Sequence, residues 1–474
     1  MSISNLLNQG KGALAANQLA LTTTSHNVAN ASTPGYSRQR VNLETEQPVN
    51  YGQHRIGAGV TIGSVQRTQS EFVNRRIEME NSDLGRTEGM SDVLQQLEAT
   101  FKDDGEQGVS KAVTQFFNDV RTLSTQPEST ALRAAVRESA EAVTTRFRTI
   151  SNSVDQVRDD LDRRVGGAVD EMNTLVSRIT DLNKRIGEIE TKGSRASAND
   201  EHDQRDMAVQ QLAKLVPIQV TPIERGMVNI SAGRLGVLVN GADGSQFAAT
   251  RSQDDNNPGA LHVFQLDGRG FATKDVTSAV ESGTLGGYLQ VRDRIVPELM
   301  GKVDNLAHSL ASEVNAVHGS AYTSKGQAGV NFFEVGADPR GAAASLKLSK
   351  AIGLDLGNLA TGSLPNAPGD NRALLAIADL QDTKIFDSGR ANFVDYTASI
   401  VGGLGVEVRS TNESYETQKG LVDQLGTMRE QVAGVSLDEE AINMIKYQKA
   451  FDASAKMIQV ADQMLDTVLN LKRF

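Results

Sequence analysis

The sequence predicts a mainly α fold with inserted β structure: terminal helices paired as a coiled coil, an elongated helical-bundle domain, and a small β-rich outer domain. Three observations carry this. Both ends of the chain hold an apolar seam at alternating three- and four-residue intervals, the spacing of a coiled-coil face. From Ala131 to about Ile189 the heptad spacing runs far longer than an ordinary helix needs. Residues 46 to 70 and 218 to 282 instead alternate short apolar runs with glycine, which reads as strands and turns.

At the start of the chain Ile3, Leu7, Gly10, Leu14, Asn17, Leu21, Thr24 and Val28 form the seam, and a polar Asn17 inside it fixes register at some cost in stability. The helix is expected to end near Asn30, because Ser32-Thr33-Pro34-Gly35-Tyr36 is turn chemistry. The last stretch opens on Ser436-Leu437-Asp438-Glu439, a capping box in which the serine hydroxyl takes one orphan amide and Glu439 reaches back to another. Its seam runs through Leu437, Ala441, Met444, Phe451, Ala455, Ile458, Leu465 and Leu469, interrupted by Gln448 and Asp462. By pattern alone, two ordinary amphipathic helices on separate cores fit as well as a pair.

Between the ends, Pro48, Gly52, Gly57, Gly59 and Gly63 alternate with Val49, Ile56, Val60, Ile62 and Val65, a strand-and-hairpin connector. Helices are expected from about Glu71 to Val216, with stripes at Val93, Leu94, Leu97 and Phe101 and at Val113, Phe116, Phe117, Val120 and Leu123. The long helix slips its seam by one residue at Val165, beside Gly166-Gly167, where two helix-interior glycines predict a bend or break. A loop from Gly193 to Asn199 leads to a helix holding His202 and Asp203-Gln204-Arg205-Asp206, read as a solvated, salt-bridged helix start rather than a metal or acid-base site. Gly241-Ala242-Asp243-Gly244 lacks the lysine and the following helix of a phosphate loop and reads as a turn. Helix resumes from Gly287, with a stripe from Val291 to Val317 that stops at His318-Gly319. Loop and strand fill 320 to 370, then come a short helix from Arg372 to Gln381 and a long one from Phe393 to Val432.

Composition narrows the function. At 474 residues the chain exceeds one core, so several domains are expected. A net charge of −11 argues against nucleic-acid partners. Without cysteine there is no thiol chemistry and no thiolate metal site, and no cofactor is expected. Residues 1 to 28 lack the apolar core of a signal peptide, and no run is long enough for membrane insertion. No nucleophile pair, zinc helix or phosphate loop stands out, so an enzyme is the weaker reading.

Residues Ser25-His26-Asn27-Val28-Ala29-Asn30-Ala31-Ser32-Thr33-Pro34-Gly35-Tyr36-Ser37-Arg38 resemble the amino-terminal signature of the bacterial flagellar axial proteins, the rod, hook and hook-associated subunits. The far end, Gly434 to Ala441 with Asp438, Glu439 and Glu440, and Tyr447-Gln448-Lys449-Ala450-Phe451-Asp452-Ala453-Ser454-Ala455, resembles their carboxy-terminal signature, with Phe451 and Asp452 in place of the usual tyrosine and glutamine. The middle, with Arg292-Asp293 and Asn331-Phe332-Phe333, is similar to the hook-associated branch. The helices from Glu71 to Val216 speak against the hook protein itself, whose middle is dominated by β domains.

The resemblance implies a structural subunit whose terminal helices pair in the inner wall of a tube, exported without a cleaved signal. Its implied partners are hook protein, the next hook–filament junction protein, further copies of itself, and an export chaperone gripping the last helix. The exposed side chains expected to meet that chaperone are Ile445, Phe451, Ile458 and Leu465. The expected organisation is a polymerisation domain of 1–45 with 436–474, a connector of 46–70, a helical bundle of 71–217, 283–319 and 371–435, a β-rich unit of 218–282, and 320–370 in an outer position.

Overall fold

A computed structural model describes residues 3–51, 54–102, 108–191, 196–251 and 260–471. Residues 1–2 and 472–474 of the terminal segments, Gly52 of the connector and Gly193 of the loop lie outside these. Helix α1 (Ile3–Ala29) leads into strands β1 (Gln39–Thr45), β2 (Val49–Tyr51), β3 (His54–Ile56) and β4 (Val60–Arg67). β1 and β4 form an antiparallel ribbon with a bulge between Asn42 and Leu43, and β2 pairs with β3. The ribbon lies along α1. A Cβ on Gly12 would come within 2.7 Å of the Val60 carbonyl oxygen, so small residues let strand and helix approach.

Helices α2 (Glu71–Phe101), α3 (Val109–Thr125), α4 (Thr130–Ile189) and α5 (Asn199–Leu215) follow. Ser70 and Ser129 cap α2 and α4 by accepting the amides of Val73 and Leu132. Next come β5 (Gln219–Pro222), β6 (Val228–Ala232), β7 (Gly236–Asn240) and β8 (Asp243–Gly244), an antiparallel meander in chain order. A second meander has β9 (Gln246–Arg251), β10 (Leu261–Leu266) and β11 (Ala272–Asp275). Gly241, with φ +57°, sits in the β7–β8 turn, and Gly244 of β8 pairs with Val239 of β7.

Helix α6 (Gly283–Gln290) runs through a π-helical segment, Val291–Ile295, into α7 (Val296–Ser320). The short elements β12 (Phe333–Glu334), α8 (Ala342–Ser345), β13 (Lys347–Leu348), α9 (Lys350–Leu354) and α10 (Arg372–Asp379) precede α11 (Phe393–Ala433) and α12 (Leu437–Leu471). α11 lies antiparallel on α2, as Leu425 packs against Val73 and Ile77 while Asn412 accepts from Ser91.

Two hydrophobic cores divide the molecule, and they cut across the expected domains. The first joins α3, the first half of α4, α7, α10, parts of α2 and α11, and the stretch from Phe332 to Leu359. Residues 320–370 therefore do not stand outside. Phe332 and Phe333 lie against Phe116, and His318, expected only as a helix-end signal, holds the segment to α7. Its Nδ1 donates to Val330 and its Nε2 accepts from the Ala360 amide. The second core joins the rest of α4, α5 and α6 to both meanders. α4 is one continuous helix of 60 residues, spanning ~90 Å at 1.5 Å per residue, with no break at Gly166-Gly167. The seam slip read at Val165 marks a change of partner: Leu161 is the last α4 residue of the first core and Val165 the first of the second.

Candidate assembly site where the two ends meet

α1 and α12 lie antiparallel, with Gly10 beside Ile458, Asn17 donating to the Ser454 hydroxyl at 3.3 Å, and Asn27 donating to Glu440 at 3.2 Å. The buried positions of α12 depart from the apolar seam read in the sequence. Glu440, Met444, Tyr447, Phe451, Ser454, Ile458, Ala461 and Leu465 recur at four- and three-residue intervals and are buried or half-buried. Met444, Phe451, Ile458 and Leu465 belong to both readings. Leu437, Ala441, Gln448, Asp462 and Leu469 are exposed instead, and Ala455 is half-buried at the edge. Counting only apolar residues passes over Glu440 and Ser454, which are buried because Asn27, Arg38 and Asn17 satisfy them.

On α1, Ile3, Leu7, Leu14, Asn17 and Leu21 are half-buried and Val28 is exposed. The deepest positions are Gly10, Ala16, Ala20, Thr23, Thr24 and Asn27. Gly12 and Asn27 meet the β1–β4 ribbon, and the buried Ala16, Ala20 and Thr23 lie between them at three- and four-residue intervals, so the ribbon is a second neighbour the heptad pattern does not announce. The capping box is half formed. The Ser436 hydroxyl faces the Glu439 amide at 3.5 Å, but the Glu439 carboxylate turns away to Arg38 at 2.6 Å. Asp438 is exposed in the first turn of α12, where a carboxylate suits the helix dipole.

The two signature segments close on one polar node. Asn27 Nδ2 donates to Gln39 O and to Glu440, while its Oδ1 accepts from the Gln39 amide at 3.0 Å and the Tyr36 hydroxyl at 2.8 Å. Arg38 reaches Glu439 and Glu440, both at 2.6 Å, and its amide donates to Ala433 O, the last residue of α11. Asn30 and Thr33 shape the turn before it: Thr33 Oγ1 donates to Asn30 Oδ1, and Asn30 Nδ2 to His26 O. Gly35 has φ +82°, and any Cβ there would collide with Met207 of α5. Its carbonyl accepts from Arg429 of α11.

α5 underlies the node. Asp203 accepts from the Ser37 amide and from Arg67, Arg67 also donates to Asp206, and Asp200 accepts from Gln39. Burial, then Asp200, Asp203 and Glu440, pushes the Tyr36 hydroxyl well above its ordinary pKa, so it stays a donor. His202 is pulled down by burial, then by Arg205 and Arg67. Neutral, it accepts from Arg205 on Nδ1 and donates to Glu190 on Nε2. The helix start read from Asp203 to Asp206 is thus an internal charge lattice, not a solvated face. Arg38, Gln39, Arg67 and Asp200 were not legible as site residues, since their partners lie far off in sequence, Glu439 being 401 positions from Arg38. Among the described residues no group of three His, Cys, Asp or Glu is placed to hold a metal.

The outward face of α12 carries Ile442, Ile445, Met457, Val460, Met464 and Val468, all exposed; Ile442 is 67% and Ile445 60% accessible. Of the four side chains expected to meet a chaperone, Ile445 is on this face. Phe451, Ile458 and Leu465 are half-buried against α1, because they occupy the seam.

Comparison with known families fits ends that close on each other around a long helical middle. The ends match families of flagellar rod proteins: residues 7–36 match "Flagella basal body rod protein" and 431–471 match "Flagellar basal body rod FlgEFG protein C-terminal". Residues 94–333, half of the chain, match "Flagellar hook-associated protein FlgK helical domain", and the chain belongs to this family. Flagellar hook-associated protein 1 of Bacillus subtilis is 29% identical, over 98% of this chain and 97% of that protein. The protein of the same name from Escherichia coli is 25% identical, over 99% of this chain and its whole own length. The solved flagellar hook junction protein FlgK from Burkholderia pseudomallei superposes with a TM-score of 0.68 at 14% identity, covering 76% of this chain and all of that one.

Proposed function

We propose that the chain is a structural subunit of the bacterial flagellum that joins hook to filament outside the cell and assembles through its paired terminal helices. The observation that carries the assembly mode is α12, which is apolar on the face toward α1 and again on the face toward solvent. An apolar row left in water on the outer side of a paired helix is stabilised when further helices cover it, and among the described residues this chain packs α1 on the opposite side only. The partners that fit are further copies of the chain, hook protein below and the next junction protein above.

Val460→Asp tests the reading. It places a charge on the outward face without touching the seam or either core. The isolated chain is expected to melt as the parent does and to fail to incorporate at the hook tip. Normal incorporation would overturn the assembly mode. Before assembly, an export chaperone would take α12 through Ile445, Phe451, Ile458 and Leu465. The last three reach a groove only when α12 parts from α1. Capture that survives deletion of residues 436–474 would remove this part of the proposal.

A further inference from the structure

On α4 and on the α6–α7 run the two cores change over at one level, where polar side chains bridge them, while α2 packs along α5 and α6 beside it. On α4 the change falls between Leu161 and Val165; along the α6–α7 run it falls between Leu289 and Val291. Each crossing carries a backbone irregularity or a weak helix former. On α4 it is the Gly166-Gly167 pair, around which no atom would lie within 4 Å of an added Cβ. On the other run it is the π-helical segment Val291–Ile295.

Between the cores Arg292, 1% exposed, binds three elements at once. Its guanidinium donates to Asp162 of α4 at 2.9 Å and to the Leu261 carbonyl of β10 at 2.6 Å. It also meets both oxygens of Asp293, at 2.7 and 3.0 Å. Arg164 makes a second tie, pairing with Asp92 of α2 and Asp160 and lying over the Tyr288 ring, which packs on both cores. Beside this layer a cleft of about 1380 Å³ separates β11 and its following turn from α7, with Asp155, Glu281, Arg294, Asp304 and Arg340 on its walls.

We propose that this level is a mechanical joint: the outer unit built on the second core swings against the helical core about Gly166-Gly167 and the π segment, and Arg292 is the clasp that holds one orientation. Apolar packing resists shear because side chains interdigitate, whereas a polar layer held by a few directional bonds is released when those bonds are cut. The open cleft gives the swing room. The charged clasp therefore sets orientation, while each core keeps its own packing. A subunit contacting two different partners along one axis would use such a joint to fit its outer surface to both.

The chain has no cysteine, so two introduced ones can be labelled cleanly. Val237→Cys on β7 and Leu354→Cys at the end of α9 are exposed sites on the outer unit and the helical core. Spin-label distances between them in the full-length chain are expected to be narrowly distributed, and at least twofold broader after Arg292→Met with helical content unchanged. An unchanged width would overturn the joint. Should Arg292→Met not fold, Asp162→Asn decides by the same criterion, broadening for and an unchanged width against. Adding Gly166→Ala and Gly167→Ala to the loosened variant is expected to narrow the distribution again. If it stays as broad, the movement does not pass through α4 and the hinge as proposed is wrong.

Discussion

α4 and α12 are both long helices with heptad seams, but they are finished differently. α4 buries two successive apolar seams completely, with Phe147, Leu161, Met172 and Ile179 at 0% exposure. Among its described side chains α12 buries only Glu440, Ser454 and Ala461, and it presents apolar residues to solvent. Partners for α4 come from its own chain; α12 packs along α1 and leaves an apolar row in solvent, which on the proposed function other subunits cover. On that reading the same periodicity serves stability in one helix and assembly in the other.

The sharpest way to break this comparison is a matched pair of substitutions. Phe117→Ala removes a fully buried ring that packs on Phe116 and Phe393, and is expected to cost roughly 3–5 kcal/mol in the isolated chain. Ile458→Asp in the terminal seam is expected to leave the main melting transition in place while raising amide exchange along α1 and α12 and abolishing incorporation. Equal loss of melting temperature in the two variants would mean that the terminal pair is ordinary core.

Next in size is the node. Arg38→Met leaves the Glu440 carboxylate, 2% exposed, with Asn27 as its side-chain partner among the described residues. Stranding a buried charge costs about 3–5 kcal/mol, so α12 is expected to undock from the node. The signature is faster exchange in the first turns of α12 and last turns of α1, with α4 unchanged. Arg38→Met combined with Glu440→Gln should recover part of the loss. If it recovers nothing, the pair is not what holds the ends.

These substitutions also mark how far the sequence could be read. Period placed the helices; Ser70, Ser129 and Asn392, which cap three of them by accepting an amide, were a further signal left unread. The paired ends were legible from two motifs in order. The phase of the seam was not, because Ser454 and Glu440 are polar and become seam residues only through Asn17, Asn27 and Arg38. Nor was the division into cores. A helix that changes partner at Val165 shows a one-residue slip in sequence, and a slip beside two glycines looks the same as a break.

A smaller effect is confined to α2, where it passes the node. Glu78 faces a cavity of about 150 Å³ shared with Asp206, Arg67 and Arg205. Burial, then Asp206, raises its pKa from 4.5 to about 7, with Arg75 opposing. Between those two values the folded chain keeps a proton that the unfolded chain has released, so stability falls as pH rises through that window. Glu78→Gln is expected to change nothing near pH 4 and to stabilise increasingly up to pH 8, by roughly 3 kcal/mol at most. A parent and variant whose melting curves stay parallel from pH 5 to 8 would show that Glu78 ionises freely.

The smallest effects separate the two helix types at their glycines. Gly166 of α4 has open space around its missing Cβ, so Gly166→Ala meets no clash and removes backbone freedom from the unfolded chain. A gain of about 0.5–1 kcal/mol is expected, which is about 2–4 °C in a unit of this size. Gly10 of α1 has the same intrinsic preference to gain, but its Cβ would stand 2.7 Å from Cγ1 of Ile458. That atom sits on a β-branched side chain with little χ1 freedom in a helix, so α12 itself must move. Overpacking of this kind costs about 1–3 kcal/mol and outweighs the propensity gain. Gly10→Ala should therefore loosen the terminal pair, seen as faster exchange in α1, while the main melting transition stays where it was. Ile458→Ala in the same chain makes room for the new methyl group and should restore protection in α1. If Gly10→Ala protects α1 as Gly166→Ala stabilises α4, the terminal helices are not in close contact in the free chain and the pair forms only on assembly.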